Sequence, residues 1–183
     1  MSAQINALIA KVLKMVTKPI FLIGMMGSGK SAIGQALALA LNTPFYDTDE
    51  LITQQEGRNI YQIFEQHGER YFRTLEQDIL AKLPNTPCVV ACGGGLPCFE
   101  GNMRLLKQKG WVIYLEVAAV LLFERIKDDT NRPLLKDWAS FESLLNKRVG
   151  IYKLADLTID AHSEVSEVVQ TLQQTLKINK YLS

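Results

Sequence analysis

Little in this sequence points toward a membrane, a nucleic acid or an oxidising compartment. No uninterrupted apolar run is long enough to span a bilayer. Lys plus Arg total 20 against 19 for Asp plus Glu, so no excess of either sign favours a nucleic-acid or anionic-membrane surface. Any positive field must therefore be local. Cysteine is scarce: Cys88, Cys92 and Cys98 are odd in number, lack C-x-x-C spacing, and fall in or beside one apolar segment. That argues against a disulfide framework and a zinc site, and predicts buried thiols in a reducing cytosol. No internal repeat, low-complexity tract or linker divides the 183 residues, and 48% hydrophobic content is enough to fill the core of one domain.

What is present begins with an amphipathic pattern over residues 1–18. Ile5, Leu8, Ile9, Val12, Leu13 and Val16 recur at helical spacing, while Lys11, Lys14 and Lys18 break the run. A signal peptide would carry its charge before the apolar core and end in a small-residue cleavage site, and neither is clear here. The pattern predicts a helical extension docked on the domain or on a partner subunit, with a membrane-surface helix as the alternative. From residue 19 onward, strands expected at 19–24, 44–47, 88–92, 111–117 and 156–160 alternate with helical patterns, notably at 30–41, 69–83, 118–127, 138–154 and 164–178. Such alternation predicts an α/β fold, a parallel sheet with helices on both faces and ligands beyond the carboxyl ends of its strands.

Between the first strand and its helix lies Gly24-Met25-Met26-Gly27-Ser28-Gly29-Lys30-Ser31, a full match to the phosphate-loop pattern G-x-x-x-x-G-K-[ST]. The glycines let successive amides turn inward around phosphate. Lys30 adds a point charge, Ser31 a hydroxyl for Mg²⁺, and the helix start its positive dipole end. The chain is expected to bind a nucleoside triphosphate.

Three further features surround this loop. Phe45-Tyr46-Asp47-Thr48-Asp49 ends the second strand with two carboxylates at i and i+2, which on an extended segment share one side. They suit a division between orienting a metal through water and accepting a proton, although taken alone the segment favours capping of the helix that follows, by Asp47, Thr48 or Asp49. The third strand lacks the terminal aspartate that many phosphate-loop enzymes place near Mg²⁺ and runs instead into Gly93-Gly94-Gly95, which permits close approach of a ligand. Arg73, Arg132 and Arg148 fall where strand ends and lids are expected. A planar guanidinium holds carboxylate or phosphate through paired bonds, although each arginine alone reads as surface charge.

Taken together, GMMGSGKS, FYDTDELI, GERYFRTLE, CGGG, NRPLL and KRVGIY, in this order and spacing over about residues 19–178, resemble the shikimate kinase family. The resemblance implies a three-layer phosphate-loop kinase fold over 19–183 with a central five-stranded parallel sheet and a mobile lid at about 128–138. It implies phosphorylation of the 3-hydroxyl of shikimate by ATP with Mg²⁺, in chorismate and aromatic amino-acid biosynthesis. By matching positions, Lys30, Asp49 and Arg132 are the implied catalytic residues. Gly27, Ser28, Gly29, Lys30, Ser31, Ala32, Arg125 and Arg132 would hold the nucleotide, with Arg125 against adenine. Ser31, and Asp47 through water, would hold the metal. Arg73 and Arg148 would grip the shikimate carboxylate, Asp49 its hydroxyls, an amide of Gly93 to Gly95 the ring, and Phe64 and Phe72 would form apolar walls. The expected setting is cytoplasmic, with no nucleic acid or membrane as partner. A monomer is expected, with self-association through residues 1–18 as the alternative.

One departure stands out: Gly150 occupies a position where the family usually has proline, which implies a looser backbone beside Arg148. Kinases of gluconate or of nucleoside monophosphates share the phosphate loop but should lack an arginine pair converging on an acid. A non-catalytic nucleotide-binding module would have no need of Asp49, Arg73, Arg132 and Arg148.

Overall fold

Strand β1 (Ile20–Ile23) is apolar and buried at every position, as a parallel strand covered on both faces requires. In the computed structural model, which describes residues 17–127 and 137–178, β1 lies between β3 (Val89–Ala91) and β4 (Trp111–Glu116). Strands β2 (Phe45–Asp47) and β5 (Leu157–Asp160) form the edges, giving the order β2-β3-β1-β4-β5 with every pairing parallel. All five fall within the expected segments. Residues 1–16 of the amphipathic pattern over 1–18, and residues 128–136 of the lid expected at about 128–138 with Arg132 among them, lie outside the described residues.

Among the described residues, seven α-helices connect or flank the strands: α1 (Lys30–Leu41), α2 (Thr48–Glu56), α3 (Ile60–Lys82), α4 (Asn102–Lys109), α5 (Ala119–Ile126), α6 (Trp138–Tyr152) and α7 (Val165–Ile178). Periodicity alone did not single out α4, which buries only Asn102, Met103 and Leu106. Helix α3 begins nine residues before the expected start at 69. Asn59 and Gln62 cap it reciprocally, and Gly68, at φ 77° and ψ 175°, kinks it where the expected helix was to begin. Helix α6 continues through Gly150 without a break.

Two apolar clusters result. The larger surrounds the sheet, from Phe21 and Leu22 to Phe141 and Tyr152. The smaller joins Ile52 of α2 to Ile63, Phe72, Leu75 and Ile79 of α3 and anchors those two helices beside the sheet. Among the described residues no helix is long and apolar enough to cross a membrane.

Candidate active site

The loop from β1 to α1 forms one end of a cleft of about 770 Å³ at the carboxyl ends of the strands. Gly27 and Gly29 adopt φ of +82° and +83°, a region that residues with a Cβ rarely enter. No side chain caps α1, so the amides of its first turn keep their capacity for an anion. The Lys30 ammonium donates to the Met25 carbonyl at 2.9 Å, which arches its stem over the loop.

Beside this loop, Asp47 ends β2 and gives its two carboxylate oxygens different partners. Its Oδ1 accepts from the amides of Asp49 at 2.9 Å and Glu50 at 3.4 Å, which caps α2. Its Oδ2 accepts from the Ser31 hydroxyl at 2.5 Å. Asp49 is not on the extended segment that its spacing suggested: it lies in the first turn of α2. Both carboxylates still line the cleft, because the cap turns the chain between them.

The three glycines after β3 are each explained by a different neighbour. A Cβ on Gly93 would sit 2.4 Å from Asp49 Oδ1, and one on Gly95 would sit 2.5 Å from Arg73 Nη1. A Cβ on Gly94 would sit 3.5 Å from Arg148 Nη1 and 3.5 Å from the Gly24 carbonyl. This turn is thus the point at which the carboxylate, both arginines and the phosphate loop meet. The Gly93 amide donates to Thr48 Oγ1 at 2.7 Å, so an amide offered to a ligand would come from Gly94 or Gly95. The buried Tyr152 donates its hydroxyl to the Gly94 carbonyl at 2.6 Å, which ties the turn to the helix that carries Arg148.

Arg73 reaches the cleft with partners of its own. Nη1 donates to Glu76 Oε2 at 2.7 Å, and Nη2 to Glu69 Oε1 at 2.8 Å. Glu76 is only 1% exposed, and burial pushes its carboxyl up to about 7 against the opposing pull of Arg73. Phe64 and Phe72 form a wall beside it, with ring centroids 4.6 Å apart.

Comparison with known proteins identifies the family to which this cleft belongs. A family model described as shikimate kinase matches residues 26–177. The chain belongs to the shikimate kinase family. A shikimate kinase from Sulfurihydrogenibium sp. (strain YO3AOP1) is 41% identical over 163 residues, covering 87% of this chain and 98% of that protein. The structure of shikimate kinase from Acinetobacter baumannii in complex with shikimate superposes with a TM-score of 0.85 at 35% identity, covering 90% of this chain and 95% of that one. A gluconokinase from Sinorhizobium meliloti gives a TM-score of 0.55 at 20% identity, covering 90% of this chain and 98% of that one, a likeness of fold alone.

Within this shikimate kinase fold the expected site residues divide clearly. Gly27, Gly29, Lys30, Ser31 and Ala32 of the phosphate loop and its helix line the cleft together with Asp47, Asp49, Phe64, Phe72, Arg73, Gly93, Gly94, Gly95 and Arg148. Ser28 is buried beneath the loop. Arg125 is not among the lining residues; its Nη1 donates to the Gly27 carbonyl at 3.0 Å, so α5 braces the phosphate loop. Sequence reasoning assigned no role to Glu76 or Tyr152, and to Thr48 only that of a candidate helix cap. Glu76 follows Arg73 by three positions and Tyr152 follows Arg148 by four, spacings that place each pair on one helix face.

Proposed function

We infer that this chain transfers the γ-phosphoryl group of ATP to the 3-hydroxyl of shikimate, forming shikimate 3-phosphate for aromatic amino-acid biosynthesis. The observation that carries the residue assignments is the single cleft in which Lys30 and Ser31 face Arg73 and Arg148 across the Gly93 to Gly95 turn, with Asp49 against that turn. The acid end would fix the substrate by its carboxylate through charge-assisted bonds from both arginines. An amide of Gly94 or Gly95 and the wall of Phe64 and Phe72 would orient the ring. Asp49 then accepts the proton of the attacking hydroxyl, or holds that hydroxyl in line with the γ-phosphate.

At the nucleotide end, the loop amides and Lys30 hold the phosphates, and Arg125 keeps the loop in shape through Gly27. Arg132, from its place in NRPLL, would add positive charge as phosphate is transferred. The paired oxygens of Ser31 and Asp47 are hard donors that fit Mg²⁺. Among the described residues no cluster of three His, Cys, Asp or Glu side chains could hold a metal, so most of its ligands would be phosphate and water. When bound, Mg²⁺ would neutralise charge on the phosphate oxygens.

The proposal treats residues 19–183 as one catalytic domain of a cytoplasmic monomer, with residues 1–18 outside the chemistry. Neither a nucleic acid nor a membrane takes part. Product analysis tests the reaction: phosphorus-coupled proton spectra should place a single new ester on the 3-hydroxyl of shikimate, formed one for one with ADP. An ester at another hydroxyl, or ADP without an ester, would refute it.

A further inference from the structure

An acid entering the cleft meets a pocket that already contains buried negative charge. Glu76 Oε2 is bound to Arg73, but its Oε1 is buried with no hydrogen-bond partner. That oxygen would lie 3.3 Å from a Cβ on Gly93, the same position that Asp49 Oδ1 approaches to 2.4 Å. The charged and titratable groups facing Glu76 come from every neighbouring element. Arg73 and, beyond it, Glu69 share its helix, Asp49 projects from α2, and Arg148 projects from α6. Cys92 at the end of β3 and Cys98 in the following 3-10 turn complete the set.

Burial holds the Glu76 carboxyl near neutrality, at about 7, with Arg73 and Arg148 drawing it down and Asp49 raising it. A substrate carboxylate bound to Arg73 and Arg148 would change each influence in one direction. It divides the guanidinium charge with a second anion, adds a like charge nearby, and displaces water from the pocket.

We propose that shikimate enters this pocket together with a proton, which Glu76 takes up, so that the cleft accepts an anion without gaining net negative charge. This rests on the substrate reading above and adds to it the residue that balances the charge. Uptake also gives Oε1 a hydrogen to donate and relieves Asp49 of a neighbouring anion, leaving Asp49 as the pocket's proton acceptor.

The sign follows from linkage. If the complex holds the proton more tightly than the free enzyme does, affinity is greatest below pH about 7 and falls as pH rises through the free and then the bound value. Calorimetric titration of shikimate into the full chain, without nucleotide or Mg²⁺, in two buffers of different ionisation enthalpy should give uptake of about half a proton or more near pH 7.5. Between pH about 6.5 and 8.5 the dissociation constant should rise about tenfold. Glu76→Gln keeps an acceptor for Arg73 but cannot titrate, and should reduce both the uptake and the pH slope to near zero. Zero uptake or proton release in the native chain would overturn the proposal, as would the same uptake in Glu76→Gln. If shikimate did not bind at any pH, the substrate reading would fall, and this inference with it; binding without uptake would overturn the inference alone.

Discussion

Replacing Gly95 by alanine displaces the Arg73 guanidinium without mutating the arginine. Gly95 adopts φ −87° and ψ −21°, which alanine accepts without strain. Its new methyl would nevertheless lie 2.5 Å from Arg73 Nη1, 3.0 Å from Nη2 and 3.1 Å from Cζ. The guanidinium would have to retreat by about 1 Å to reach ordinary contact distance, and its 2.7 Å bond to Glu76 would be lost or bent. Because the displaced atoms end a flexible side chain, stability should change by less than about 1 kcal/mol. Binding should change far more. Charge-assisted bonds to a substrate carboxylate contribute about 1.5–3 kcal/mol, so the shikimate KM should rise about 10- to 150-fold. The ATP KM should stay within about twofold, since the turn approaches the phosphate loop at Gly94 rather than Gly95. Steady-state ADP release, with each substrate varied in turn and a melting curve as control, measures all three. A native melting curve with an unchanged shikimate KM would show that Arg73 does not hold the acid.

Other perturbations separate the remaining roles. Asp49→Asn should lower kcat about 10²- to 10⁴-fold while sparing ATP affinity, and a near-normal rate would remove Asp49 as base or orienting group. Tyr152→Phe leaves the Gly94 carbonyl without its 2.6 Å donor. It should lower unfolding free energy by about 1–2 kcal/mol and raise the shikimate KM more than the ATP KM, with equal changes in both counting against the tie to Arg148. Deleting residues 1–16, which lie outside every motif, should leave kcat and both KM values near native. A folded but inactive product would place those residues in the catalytic unit.

The sheet was readable from composition and pattern because its strands are short apolar runs bounded by turns, and each expected segment contains the observed strand. The phosphate loop was equally plain, since its chemistry is local to eight residues. Asp47 was not decidable in the same way. The sequence offered capping or a place beside a metal; the carboxylate caps α2 with one oxygen and binds Ser31 with the other, a pairing that spacing alone does not display. Glycines 93 to 95 announced a close approach but not by what, because their neighbours Asp49, Arg73 and Arg148 come from three other elements. The bonds that Thr48 and Tyr152 make were illegible for the same reason: their partners, Gly93 and Gly94, are 45 and 58 residues away. Arg125 shows the opposite case, a matching position whose side chain braces the phosphate loop from outside the cleft lining.

The claim beneath all of this is that the cleft admits a small hydroxylated acid next to the phosphate loop and makes it the phosphoryl acceptor. ADP release measured side by side with shikimate, gluconate and nucleoside monophosphates tests that claim most directly. The account predicts saturable turnover with shikimate and only background hydrolysis with the others; turnover of gluconate or a nucleoside monophosphate at a comparable kcat/KM would contradict it.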